Sequence, residues 1–208
     1  AQASFIYFPS RYGPGNEAKI AELEKVTYQG FRNHEQTSFL IAPNDAPEHV
    51  WWVFSGNGSI AIHWLDVVAG LEEDGIALVL FDYPSYGYCE GKPKPKSIRK
   101  SVDVLHGVLA ERFGWTEAEL SARSSTLGHS LGAAVALDTA ARYEMKHVIA
   151  VSPFTTMKDM AKLRLGSLLS NLLTHRYDNV KSLSKLSEVP GAQVTMYHLS
   201  LIHISEPT

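Results

Sequence analysis

Short apolar runs, separated by longer polar stretches with helical spacing, set the rhythm of this chain. Residues 49–54, 76–81, 125–127, 147–151 and 193–197 are the β-rich runs expected of central parallel strands. Residues 25–28 and 37–42 are more mixed and predict antiparallel or edge strands. The intervening segments 60–72, 98–113 and 132–143 are long enough for helices that cross over a sheet and bury one face against it. Such alternation within one domain predicts an α/β fold: a doubly wound, mostly parallel sheet with its site in loops at the carboxyl ends of the strands. Leu165, Leu168, Leu169, Leu172 and Leu173 repeat at helical spacing, so residues 155–178 are expected to form a small cap over that site. A helix buried on the main core is the competing reading of this segment, and a membrane-surface face is the third.

Composition narrows the picture. A chain of 208 residues, 45% hydrophobic, holds one domain with a real core, placed at residues 1–198. A net charge of −3 with thinly spread Lys and Arg offers no stripe for nucleic acid, and the basic cluster from Lys92 to Lys100 is expected to be a solvated loop. The single cysteine, Cys89, excludes an internal disulfide framework and a multi-cysteine metal site. No apolar run approaches the length of a membrane span. The chain starts at Ala1 rather than Met, which leaves room for a leading signal or anchor, and localisation stays open between cytoplasm and cell envelope. Leu199 to Thr208, LSLIHISEPT, is unlike the rest. The DNA string CTGTCTCTTATACACATCTCCGAGCCCACG, a transposon-end adapter of sequencing libraries, encodes it. The tail is therefore read as a translated adapter, His203 as a residue without catalytic meaning, and the natural chain as interrupted near His198.

The chemistry concentrates at Gly128-His129-Ser130-Leu131-Gly132, set between an apolar run and an Ala-rich helical stretch. A sharp strand-to-helix turn brings two backbones together, so its flanking positions must lack bulk; Gly128, Gly132 and Ala133 comply. Ser130 is then the candidate nucleophile, and the Leu131 N–H, at the positive end of the following helix, is a candidate oxyanion donor. The loop Ser55-Gly56-Asn57-Gly58 follows another strand, and its Asn57 N–H is the second candidate donor. Asp82, at the start of the turn Asp82-Tyr83-Pro84-Ser85-Tyr86-Gly87-Tyr88, is read as structural, holding exposed amides. The turn's aromatics either line an acyl pocket or pack the loop. Triad partners should follow the nucleophile in the order acid, then histidine. None is convincing: no carboxylate directly follows Ser152, with Asp159 seven residues on, and His129, His175 and His198 are each read as structural. Acid and base are expected outside the given chain.

Together these residues resemble the α/β-hydrolase superfamily, and within it the serine hydrolases of the Bem46 and ABHD13/ABHD17-like group. The resemblance rests on FIYFPSR near the start, VFSGNG, FDYPSYGYCEGKP, LGHSLG and SPFTTMKDMA, in that order. Departures are Ser55 for a histidine common in the oxyanion loop, Cys89 for a usual serine, and Leu199 where a glycine leads on to the acid-bearing loop. The resemblance implies a serine hydrolase acting on small ester-like acyl substrates through an acyl-enzyme. It implies no metal or organic cofactor, and for the given chain near-inactivity, for lack of acid and base. The alternative is a non-catalytic α/β-hydrolase-like binding or scaffold protein in which the elbow serine is a relic.

Overall fold

The computed structural model describes residues 7–68, 75–153 and 177–197. Seven strands form one sheet in the order β1-β2-β4-β3-β5-β6-β7. They are β1 Glu24–Gln29, β2 Glu35–Ile41, β3 His49–Phe54, β4 Ile76–Phe81, β5 Ser124–His129, β6 His147–Val151 and β7 Gln193–Tyr197. The first two strands pair antiparallel, as does β2 with β4; every other pairing is parallel. This is the mixed sheet that the apolar runs predict: β4 is buried at every position but its first, because neighbours and helices cover both of its faces.

The helices among the described residues are α1 Glu17–Ala21, α2 Leu65–Val68, α3 Pro95–Phe113, α4 Glu117–Ala122, α5 Leu131–Tyr143 and α6 Asn179–Ser187. α3 and α5 lie together on one face. The His106 ring of α3 stacks between Trp52 of β3, at 6.0 Å, and Tyr143 of α5, at 4.2 Å. A two-pronged ion pair from Arg99 to Asp138, at 2.9 and 2.6 Å, and a second from Arg142 to Asp103 tie the helices side by side.

Several expectations need correction. The helix expected over 60–72 begins as a 3₁₀ turn, Ala61–Trp64, before α2; residues 69–72 lie outside the described residues. α3 starts at Pro95 rather than at 98, since proline fits the first helical position, where no N–H is needed. Lys96 and Lys100 are consequently helical, and the basic stretch is a loop only as far as Lys94. α4 and α6 were not anticipated, although their signals are local. Thr116 and Glu119 cap each other across α4, and the Asp178 side chain accepts the Lys181 amide at 3.0 Å to start α6. Most of the expected cap at 155–178, and all of the tail at 199–208, lie outside the described residues, as do His175 and His198.

Candidate active site

Ser130 stands at the carboxyl end of β5, the strand between β3 and β6, and is the N-cap of α5. Its backbone is held at φ 53° and ψ −111°, a region that a non-glycine residue enters at a cost of about 1–3 kcal/mol. Three contacts impose it. The Ser130 amide donates to the Val151 carbonyl of β6 at 2.9 Å, and the Ser130 carbonyl accepts from Ala133 and Ala134, at 3.1 and 3.4 Å. Close backbone approach forces the glycines around it. A Cβ on Gly128 would lie 2.7 Å from the Ala133 nitrogen, and one on Gly132 would lie 2.6 Å from both the Phe54 carbonyl carbon and the Ser55 oxygen. No hydrogen bond joins the Ser130 side chain to a histidine or carboxylate among the described residues.

The Ser55–Gly58 loop leaves β3, the strand beside β5, and meets the elbow directly: a Cβ on Gly56 would lie 2.7 Å from His129 Nδ1. The structure thus brings Asn57, Leu131 and Ser130 to one edge of the sheet. Bracing of this loop is what the sequence did not reveal. The Tyr83 hydroxyl donates to the Ser55 carbonyl at 2.6 Å, and the Tyr86 hydroxyl and Phe8 amide donate to Asn57 Oδ1 at 2.7 and 2.9 Å. Ser10 Oγ donates to the Gly58 carbonyl at 2.7 Å. Tyr83 and Tyr86 are both fully buried, so of the two readings of these aromatics the second describes them: they pack and pin the loop. Burial pushes Tyr86 up to about 12, which keeps its hydroxyl a donor.

Asp82 behaves as a structural hook. Its carboxylate, 1% exposed, accepts the Ala61 amide at 2.8 Å and the Tyr12 hydroxyl, joining the 3₁₀ turn after the loop to the start of the chain. Burial raises its pKa from 3.8 to about 7, against the two hydrogen bonds that lower it. Between about pH 4 and 7 the folded protein holds this proton more tightly than the unfolded chain. The contribution of Asp82 to stability therefore falls as pH rises through that window and is level above it. Asp82→Asn keeps an acceptor for Ala61 and removes the titration. Its unfolding free energy from urea titrations, relative to the unsubstituted protein, is expected to climb between pH 4 and 7, by at most about 1.4 kcal/mol per pH unit. A difference that does not change with pH would remove Asp82 from the account.

Cys89 is buried, and burial pushes its thiol up, so it is a packing residue with weak bonds to Thr37 rather than a nucleophile. Among the described residues no group of three or more His, Cys, Asp or Glu is placed to hold a metal ion, and no helix is long and apolar enough to cross a membrane.

Comparison with known proteins agrees with this geometry. No family model matches the chain. Over 117 residues, 56% of this chain, it is 30% identical to α/β-hydrolase domain-containing protein 17C of Mus musculus, of which it spans about a third, 33%. In fold it is similar to the Pyrococcus furiosus esterase Pf2001, with a TM-score of 0.61, 20% identity and coverage of 93% of this chain and 75% of that one. It is also similar to FphF, a fluorophosphonate-binding serine hydrolase of Staphylococcus aureus, with a TM-score of 0.62, 14% identity and coverage of 85% and 78%. The chain has the α/β-hydrolase fold, and the superfamily resemblance drawn from its motifs holds.

Proposed function

We propose that the protein is a serine hydrolase of ester-like acyl substrates, working through an acyl-enzyme on Ser130. The observation that carries this is the strained Ser130 backbone, which presents at the head of α5 a hydroxyl that makes no capping hydrogen bond. Ser130 Oγ attacks the acyl carbon as its proton passes to a base, and the carbonyl electrons move onto oxygen. The Leu131 N–H, reinforced by the α5 dipole, and the Asn57 N–H would hold that oxyanion. Collapse expels the alcohol, protonated by the same base, and water repeats the attack on the ester left on Ser130. No described histidine bonds to Ser130, so the base and its orienting acid are assigned to residues outside the described part. Neither a metal nor an organic cofactor is required by these steps. The likeness to an esterase and to a fluorophosphonate-binding serine hydrolase supports the reading.

The test is fluorophosphonate labelling of the protein expressed from its natural gene, with the adduct located by mass spectrometry. Modification at Ser130 is expected. Folded protein that never labels would replace the enzyme reading with that of a binding or scaffold protein.

The tyrosine brace gives a finer expectation. Tyr86→Phe removes the hydroxyl that fixes Asn57. Deleting an oxyanion donor costs about 10²–10³ in kcat, so a donor left in place but loosened is expected to cost roughly tenfold, with KM and stability little changed. Equal loss in kcat and thermal stability would make the tyrosine a packing residue only.

A further inference from the structure

The lysine-rich stretch that the hydrolase reading leaves unused lines a cavity of about 590 Å³ between the turn after β1, the start of β2 and the head of α3. Arg32, Lys92, Lys94 and Lys96 face it with Phe31 and Gln36, and Pro84 of the aromatic turn forms part of its wall. Four fixed cations therefore meet one carboxylate, Glu90, in a chain whose net charge is −3. That carboxylate is already engaged: it accepts the Glu35 amide at 3.0 Å and lies 3.8 Å from His34 Nδ1.

The placement of these cations runs against helix electrostatics. A helix start carries partial positive charge and favours acids, yet the first turn of the 19-residue α3 has none, with Lys94 as N-cap and Lys96 just inside. Ser97 Oγ accepts the Lys94 amide at 3.0 Å, and Pro95 has no N–H. The orphan donors of the first turn are then the Lys96 and Ser97 amides. Arg32 and Lys96 both rest on the Phe31 ring, 5.5 and 5.4 Å from its centre, which holds two of the cations in place.

A second, independent feature lies in the same cavity. Gln36 is 1% exposed and gives its Nε2 to the carbonyls of His34, Glu35 and Glu90, at 3.3, 2.7 and 3.1 Å. Its Oε1 is buried without any partner. An orphaned buried acceptor of this kind costs about 1–3 kcal/mol and is satisfied by an incoming donor.

We propose that this cavity is a binding site for a phosphate monoester that also carries a hydroxyl. Lys94, Lys96, Arg32 and the first-turn amides of α3 take the phosphoryl oxygens, and Gln36 Oε1 accepts the hydroxyl. The same chemistry is offered by a soluble polyol phosphate and by a lipid headgroup. The site is separate from Ser130, so it stands or falls independently of the hydrolase reading.

Calorimetric titration of the 208-residue chain with glycerol 3-phosphate at low salt tests it. Saturable one-to-one binding is expected, unchanged by Ser130→Ala and weakened roughly tenfold or more in Lys94→Gln/Lys96→Gln, the loss that removing charge-assisted bonds predicts. Both lysines are exposed, and far-ultraviolet circular dichroism checks the fold of the variant. Should that variant misfold, Arg32→Gln, exposed and outside α3, is read in its place. Co-sedimentation with phosphatidylcholine vesicles, with and without the acidic lipid phosphatidylinositol 4-phosphate, whose headgroup carries both a phosphate monoester and hydroxyls, separates the two sources. Pelleting only with the acidic lipid identifies a headgroup site, and binding of glycerol 3-phosphate without pelleting identifies a soluble ligand. No saturable binding to either probe, or binding indifferent to the lysine substitutions, overturns the proposal and leaves a solvated basic surface.

Discussion

Replacing Ser130 by alanine is expected to lower ester hydrolysis by roughly 10³- to 10⁶-fold while leaving the fold intact. The first half follows from the proposed chemistry. Without Oγ no acyl-enzyme forms, and only substrate binding and the oxyanion donors remain to act on a direct attack by water. The second half follows from the geometry. Ser130 Oγ makes no capping hydrogen bond, and the strained φ of 53° is imposed by the strands and α5 rather than by the hydroxyl. Its removal should therefore change stability by no more than about 0.5 kcal/mol. Loss of activity with an unchanged urea midpoint is the signature of the nucleophile. A variant that keeps more than a tenth of the hydrolysis would transfer the chemistry to another residue.

Gly132→Ala is expected to be the most damaging single methyl group in the described protein. An alanine inside a helix normally stabilises by about 1 kcal/mol relative to glycine. Here the added Cβ would stand 2.6 Å from the Phe54 carbonyl carbon and the Ser55 carbonyl oxygen. Both belong to backbone, one at the end of a central strand and the other in the loop braced by Tyr83, so neither can yield alone. A loss of more than about 4 kcal/mol is expected, in the range reserved for severe core disruption. Gly107→Ala is the matched control: it lies within α3, and its Cβ would meet only Glu117 Oε1, at 3.7 Å. That substitution should stabilise by up to about 1 kcal/mol. Denaturant midpoints of the two variants test the claim together, and similar small effects would mean that α5 can shift away from β3.

The elbow could be read from residue types because its constraint is local. A turn of this sharpness needs small residues on both sides of Ser130, and that need is written at fixed spacing in Gly128, Gly132 and Ala133. The boundaries of β3 and β4 were legible for a related reason: strands covered on both faces read as apolar runs. Residues 193–197 also form a strand, but β7 is an edge strand exposed at four of its five positions and not the central strand expected. The capping pair Thr116 and Glu119 is an equally local signal, for the start of α4. The loop brace was of another kind. Tyr83 and Tyr86 reach partners 28 and 29 residues away, and Asp82 reaches Tyr12 across 70. No spacing rule connects such positions.

What the sequence determined by itself is the alternation of strand and helix and the serine at the turn where β5 meets α5. Periodicity and steric need act over a few residues and leave a mark that can be read along the chain. The tertiary structure alone decided the strand order, which sets β3 beside β5 and so brings the Ser55–Gly58 loop against Ser130. It alone turned three aromatic-turn residues into clamps, and gathered Arg32 and Gln36 with lysines some 60 residues later in the chain. These are contacts between elements, and their energies depend on distances that only the closed sheet defines.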